Sequence, residues 1–147
     1  MANKIILPVA FSEPGQFILY TRYGDPRSSG WEERWMNNWF LKDHFDWFPI
    51  SHLYVHKHFK ILLNNAFSEL SILGLQNEIS SLIKCHYKSR NKSGVLSLHH
   101  WGAAIEITPR NSFKKYRRWS KPFIEIMEEN DIHQSEVQPN VFSMVHC

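Results

Sequence analysis

The sequence predicts one domain of mixed α and β structure, and two patterns carry that expectation. Apolar residues at helical spacing fill the middle of the chain, and short apolar runs bounded by turn formers follow them. At 147 residues, with 43% apolar and 14% aromatic content, the chain has the length and composition to bury one core, so residues 1–147 are expected to form a single domain.

Residues 1–15 read as a lead-in. Their apolar run, Ile5-Ile6-Leu7, is broken by Pro8 before a secretory core could form. No apolar stretch approaches the ~20 residues of a spanning helix, so a soluble protein without an export signal is expected. Tyr23-Gly24-Asp25-Pro26 reads as a turn, followed by Ser28-Ser29-Gly30. Trp31, Trp35 and Trp39 recur every fourth residue, which on a helix makes one indole stripe buried against the core. The clearest helix covers residues 51–73, with Val55, Phe59, Leu62, Leu63, Ala66, Phe67, Leu70 and Leu73 as its apolar face, Ser51 as cap and Gly74 as stop. His52, His56 and His58 fall near its start; with no carboxylate on that face, they are expected to be solvated.

Strand-like runs follow at Leu82-Ile83-Lys84-Cys85 and Val95-Leu96-Ser97-Leu98-His99, separated by the turn-rich residues 89–94, and again at residues 103–107. Ser120-Lys121-Pro122 opens a short helix with Phe123, Ile124, Ile126 and Met127 as its buried stripe, ending near Asn130. Residues 131–147 have no clear periodicity.

A formal charge of +3 and a pI near 8.9 favour anionic partners, wall polymers and nucleic acid alike. The run Lys114-Lys115-Tyr116-Arg117-Arg118-Trp119 interleaves charge with aromatics, but a solvated loop or an anionic wall contact accounts for it better than nucleic acid does. Cys85 and Cys147 lie far apart with no CxxC spacing, and read as free thiols.

The stretch that carries chemistry is Ser97-Leu98-His99-His100-Trp101-Gly102-Ala103-Ala104-Ile105-Glu106-Ile107. If His99 ends one strand and Gly102 turns the chain into the next, imidazole and carboxylate converge on one point, as ligands suited to zinc. Alternation puts Ala104 and Glu106 on one face and Ile105 and Ile107 on the core side, while His100 points away from His99.

These residues resemble the Ser-x-His-x-x-Gly-x-Ala-x-Asp signature of the zinc D-Ala-D-Ala carboxypeptidase and L-alanyl-D-glutamate peptidase family, with matches at Ser97, His99, Gly102 and Ala104 and with Glu106 in place of aspartate. The resemblance extends to Val55-His56-Lys57, Arg90, Thr108-Pro109-Arg110-Asn111 and the leader Tyr23-Gly24-Asp25-Pro26 with Trp31, covering residues 16–130. It implies an α+β fold of the hedgehog/DD-peptidase type, a small antiparallel sheet with packed helices. It also implies zinc as cofactor, the peptidoglycan stem peptide as substrate, and carboxypeptidase or endopeptidase hydrolysis as activity. Delivery to the wall would then require release from the cytoplasm, as for a phage- or prophage-encoded enzyme.

Carried over residue by residue, the resemblance makes His99 and Glu106 zinc ligands, brings Arg90 to the substrate carboxylate and gives Ser97 a supporting place beside the ligands and substrate. The family's third ligand is a later histidine, with the general base three residues before it. His146 stands at about the expected remove and is preferred over His133, but Ser143 then occupies the base position. Asp131 and Glu136 are the substitute candidates for the base. The altered C-terminus gives a second reading, a non-catalytic relative that binds the wall or travels with a particle.

Overall fold

The computed structural model describes residues 10–11, 14–84, 95–110 and 119–145. In chain order the elements are β1 (Ala10–Phe11), α1 (Pro14–Tyr23), α2 (Trp31–Trp35), β2 (Met36–Trp39), β3 (Leu53–His56), α3 (Lys57–Ile72), β4 (Ile79–Lys84), β5 (Val95–Leu96), β6 (Ala104–Pro109), α4 (Lys121–Glu129), β7 (His133–Gln134) and β8 (Val141–Ser143). The main sheet has the order β4-β6-β8-β7 and is antiparallel throughout. A separate antiparallel pair joins β2 to β3, and β1 runs parallel to β5. Among the described residues the structure is therefore mixed α and β, with four helices and mainly antiparallel strand pairing.

The long helix starts later than its periodicity suggests. Val55 belongs to β3, and α3 begins at Lys57 with His56 as its cap, the His56 ring accepting a hydrogen bond from the His58 N–H. Val55 fitted the helical pattern because every residue buried on β3 adds to the same apolar count. Phe59, Leu63, Ala66, Phe67 and Leu70 form the buried stripe of α3, and Gly74 leaves the helix at φ +73° as the stop signal implied. Phe67 lies at the centre of an aromatic cluster, stacked on Trp39 at 6.3 Å and packed against Phe45, Trp47 and Phe48.

The three tryptophans do not share one helix. The chain turns extended at Met36, so Trp31 and Trp35 lie on α2 while Trp39 lies on β2, opposite Leu53. Trp31 and Trp39 are nevertheless buried, as their size requires, and Trp35 is partly so. On the other side of the domain α4 follows its sequence signals closely: Ser120 caps it through the Phe123 N–H, and Pro122 sits in its first turn. Trp119 stacks on Phe123 at 4.3 Å, and both rings pack against Phe142 of β8.

The closing stretch carries two strands where no periodicity was legible. A three-residue β8 and a two-residue β7 are shorter than any pattern window, yet β8 lies between β6 and β7 in the sheet. No helix among the described residues is long and apolar enough to cross a membrane.

Candidate functional site

The signature residues form a 3₁₀ turn, Leu98–Trp101, followed by β6. His99 is thus in a turn and not at the end of a strand, which corrects the sequence expectation. The reason is local: the Ser97 N–H donates to His100 Nδ1 at 2.8 Å, the Ser97 hydroxyl lies 3.1 Å from the same nitrogen, and the His100 N–H donates to the Ser97 carbonyl at 3.0 Å. Side-chain competition of this kind favours a turn over a continuing strand. His100 is buried by this role, and Ser97 serves the turn that carries His99.

Gly102 ends the turn at φ +64° and redirects the chain into β6. Its carbonyl accepts from the His56 N–H at 3.0 Å, so the turn is fastened to β3 where α3 begins. A Cβ at Gly102 would lie 2.5 Å from Met36 Sδ and 2.7 Å from the His56 backbone nitrogen. Glycine is required both for the backbone conformation and for this close approach.

One indole ties the leader to the same turn, and a second closes the leader on itself. Trp101 Nε1 donates to the Gly24 carbonyl at 2.9 Å and Trp31 Nε1 to the Tyr23 carbonyl at 2.7 Å, while Asp25 holds Arg27 in a 2.7 Å ion pair. The Tyr23-to-Pro26 turn and the Ser97-to-Glu106 run, far apart in sequence, are parts of one structural unit.

On β6, Ile105 and Ile107 are fully buried, and Glu106 is half-buried on the opposite face. Cross-strand pairing aligns Ala104 with Ser143 and Glu106 with Val141, and on the next strand His133 with Ser143. Paired residues share a face, so Glu106, Ala104, Ser143, Val141 and His133 lie on one side of the sheet. That side is largely covered too, with Ala104 and Ser143 each 1% exposed. The Ser143 hydroxyl donates to the Val145 carbonyl at 2.7 Å.

His99 and Glu106 have the donor chemistry zinc takes, as nitrogen and oxygen ligands from a turn and the strand that follows it. Among the described residues no three His, Cys, Asp or Glu side chains come together to hold a metal, His133 included. His146, Arg90, the two cysteines and residues 114–118 of the basic run lie outside the described residues. Trp119, the last residue of that run, is buried at 7% exposure and belongs to the core. Glu136 is exposed in the loop before β8, and Asp131, also exposed, adopts φ +58° just after α4.

His56 departs most from its expectation. It is fully buried instead of solvated, enclosed by Tyr23 at 4.2 Å, Trp35 at 5.3 Å and Trp31 at 6.0 Å between ring centroids. Because Nδ1 accepts from His58, the proton of the neutral ring sits on Nε2, which is buried with no hydrogen-bond partner among the described residues. Burial, aided by neighbouring His58 and Lys57, pushes the His56 pKa down from 6.5 to about 3.

Beside this cluster opens a cleft of about 430 Å³ lined by residues including Arg22, Tyr23, His58, Asp131, His133 and Val145. The Tyr23 hydroxyl and His58 Nδ1 are 2.8 Å apart. Burial raises the phenol pKa, against the lowering pull of Arg22, so Tyr23 stays a neutral hydroxyl at physiological pH. Arg22 is not among the residues the sequence singles out, and His58, exposed as expected, also lines the cleft. Arg22 gave one available signal, its place directly before the Tyr23-Gly24-Asp25-Pro26 turn.

Comparison with protein-family profiles, curated proteins and solved structures found no match.

Proposed function

We propose that the chain is a zinc-dependent peptidase of peptidoglycan stem peptides, cutting as a carboxypeptidase or endopeptidase on a DD-peptidase-type fold. The observation that carries this reading is the Ser97, His99, Gly102, Ala104, Glu106 pattern, together with the positive φ and steric closeness that make Gly102 irreplaceable in it. The antiparallel sheet and the joining of leader to signature through Trp101 are further support. His99 and Glu106 would hold the metal with His146. When bound, zinc supplies Lewis-acid activation of water and of the scissile carbonyl. Arg22, which lines the cleft, has the charge and fork geometry to pair with a stem-peptide carboxylate, the part otherwise assigned to Arg90. The Tyr23 hydroxyl can donate to a carbonyl oxygen as it gains charge.

A second reading, a non-catalytic wall-binding or particle-associated relative, is favoured by one observation. Ser143, at the position of the family's base, is buried and directs its hydroxyl to a backbone carbonyl. Digestion of purified peptidoglycan by zinc-loaded protein, with mass spectrometry of the products, separates the two readings. New stem-peptide ends abolished by Glu106→Ala support the peptidase; an unchanged digest from protein that binds zinc and sediments with the wall supports the alternative.

A further inference from the structure

A second, larger groove of about 780 Å³ lies away from the signature, between β2 with its following turn and the outer face of α3. Asn37, Asn38 and Phe40 line one wall and Lys60, Asn64 and Asn65 the other. The helix contributes Lys60, Asn64 and Asn65 from a half-buried to exposed flank beside the Phe59, Leu63 and Phe67 stripe that faces the core. None of these polar residues is explained by packing or by the site described above.

The chemistry of the groove selects its ligand. Lys60 Nζ reaches Asn37 Oδ1 at 3.4 Å, while the side-chain amides of Asn38, Asn64 and Asn65 form no hydrogen bond to another group among the described residues. Each amide offers two donors and one acceptor, which matches a ligand whose own groups both donate and accept. The formal charges in the lining, Lys60 and Asp43, offset one another, so the groove does not select an anion. Phe40, 55% exposed, presents an apolar ring at its edge. Hydroxyl groups in series, an apolar ring face and no net charge describe a saccharide chain, whose C–H face stacks on an aromatic ring while its hydroxyls meet amides.

We propose that this groove binds a neutral glycan strand of N-acetylated hexosamines, as a site separate from the cleft at Tyr23 and His58. The choice of an N-acetylated glycan rests on the peptidoglycan reading; the choice of a neutral saccharide rests on the groove alone. Binding there would hold the enzyme on the sugar backbone of the polymer whose stem peptides reach the other site.

The test uses the full chain, zinc-free, titrated with a β-1,4-linked tetramer of N-acetylglucosamine and followed by amide chemical shifts. The expected result is saturable binding, with shifts centred on Asn37, Asn38, Phe40, Asn64 and Asn65, weakened at least tenfold in both Phe40→Ala and Asn65→Ala. Both residues are exposed, so an unchanged urea midpoint will establish that each variant is folded. Absence of binding at millimolar tetramer, or binding indifferent to both substitutions, would overturn the proposal, as would occupancy of the groove by an extended peptide in preference to the tetramer. Because no zinc and no hydrolysis enter the measurement, a failed peptidase assay leaves it intact. A tetramer that does not bind to a protein that cuts stem peptides would sink the groove alone.

Discussion

Replacing Gly102 with alanine tests how the signature is held together, and Gly74 supplies the control. Both glycines have positive φ, +64° and +73°, so alanine at either incurs the left-handed backbone cost of about 1–2 kcal/mol. At Gly74 that is the whole effect, since nothing lies within 4 Å of the added Cβ. At Gly102 the Cβ would meet Met36 Sδ at 2.5 Å and the His56 nitrogen at 2.7 Å. The methionine can swing aside, but the His56 nitrogen is backbone and donates to the Gly102 carbonyl. Moving it adds an overpacking cost of about 1–3 kcal/mol and weakens a hydrogen bond worth about 1 kcal/mol. Gly102→Ala should therefore destabilise by about 3–6 kcal/mol and Gly74→Ala by about 1–2 kcal/mol. Urea unfolding at pH 7.5, compared at equal m, measures both. Equal losses at the two positions would refute the close approach of the turn to β3.

Other consequences can be checked independently. His56 stays neutral in the native state down to about pH 3, whereas in the unfolded chain it protonates near 6.5, so stability is lost as pH falls between those values. Between pH 7.5 and pH 5 the loss from this residue should be about 2 kcal/mol; His56→Asn, which keeps a capping acceptor for His58, should flatten that part of the urea-derived stability curve, and an unflattened curve would place the titration elsewhere. Phe67→Ala empties the middle of the aromatic cluster and should cost about 3–5 kcal/mol by chemical denaturation; a loss below 1 kcal/mol would mean the cluster is not packed as described. Ser143→Asp puts a carboxylate at a buried position and should lower zinc-free stability by about 2 kcal/mol or more. Zinc should restore part of that loss if the metal lies close by, and a thermal midpoint indifferent to zinc would count against His146 as the third ligand.

Much of the architecture was legible because its signals are local. Ser120, Pro122 and the apolar residues after them specify α4 within one turn, and Gly74 ends the long helix through its own backbone freedom. What was not legible depends on partners distant in sequence. Val55 and Trp39 fit a helical period as well as a strand, and only the pairing of β2 with β3 decides between them. β7 and β8 are strands because β6 is beside them, not because His133, Val141 or Phe142 announce it. Of the candidate site, His99, Gly102 and Glu106 could be found by spacing, since they are close in the chain. The cleft could not, because Arg22, His58, Asp131 and Val145 come from four separate parts of the chain. The burial of His56 is not legible either, because nothing in its neighbours' polarity reveals that three aromatic rings close over it.

The measurement that bears most directly on the functional reading is a calorimetric zinc titration of the purified, metal-stripped chain beside His99→Ala and Glu106→Ala. A metal held by three protein ligands loses most of its affinity when one is removed, because outer groups cannot replace a direct bond. Close to one zinc per wild-type chain is expected, with each substitution weakening binding by about a hundredfold or more while the fold persists. A wild-type chain that takes up no zinc, or two variants that bind it as tightly as wild type, would rule out His99 and Glu106 as zinc ligands.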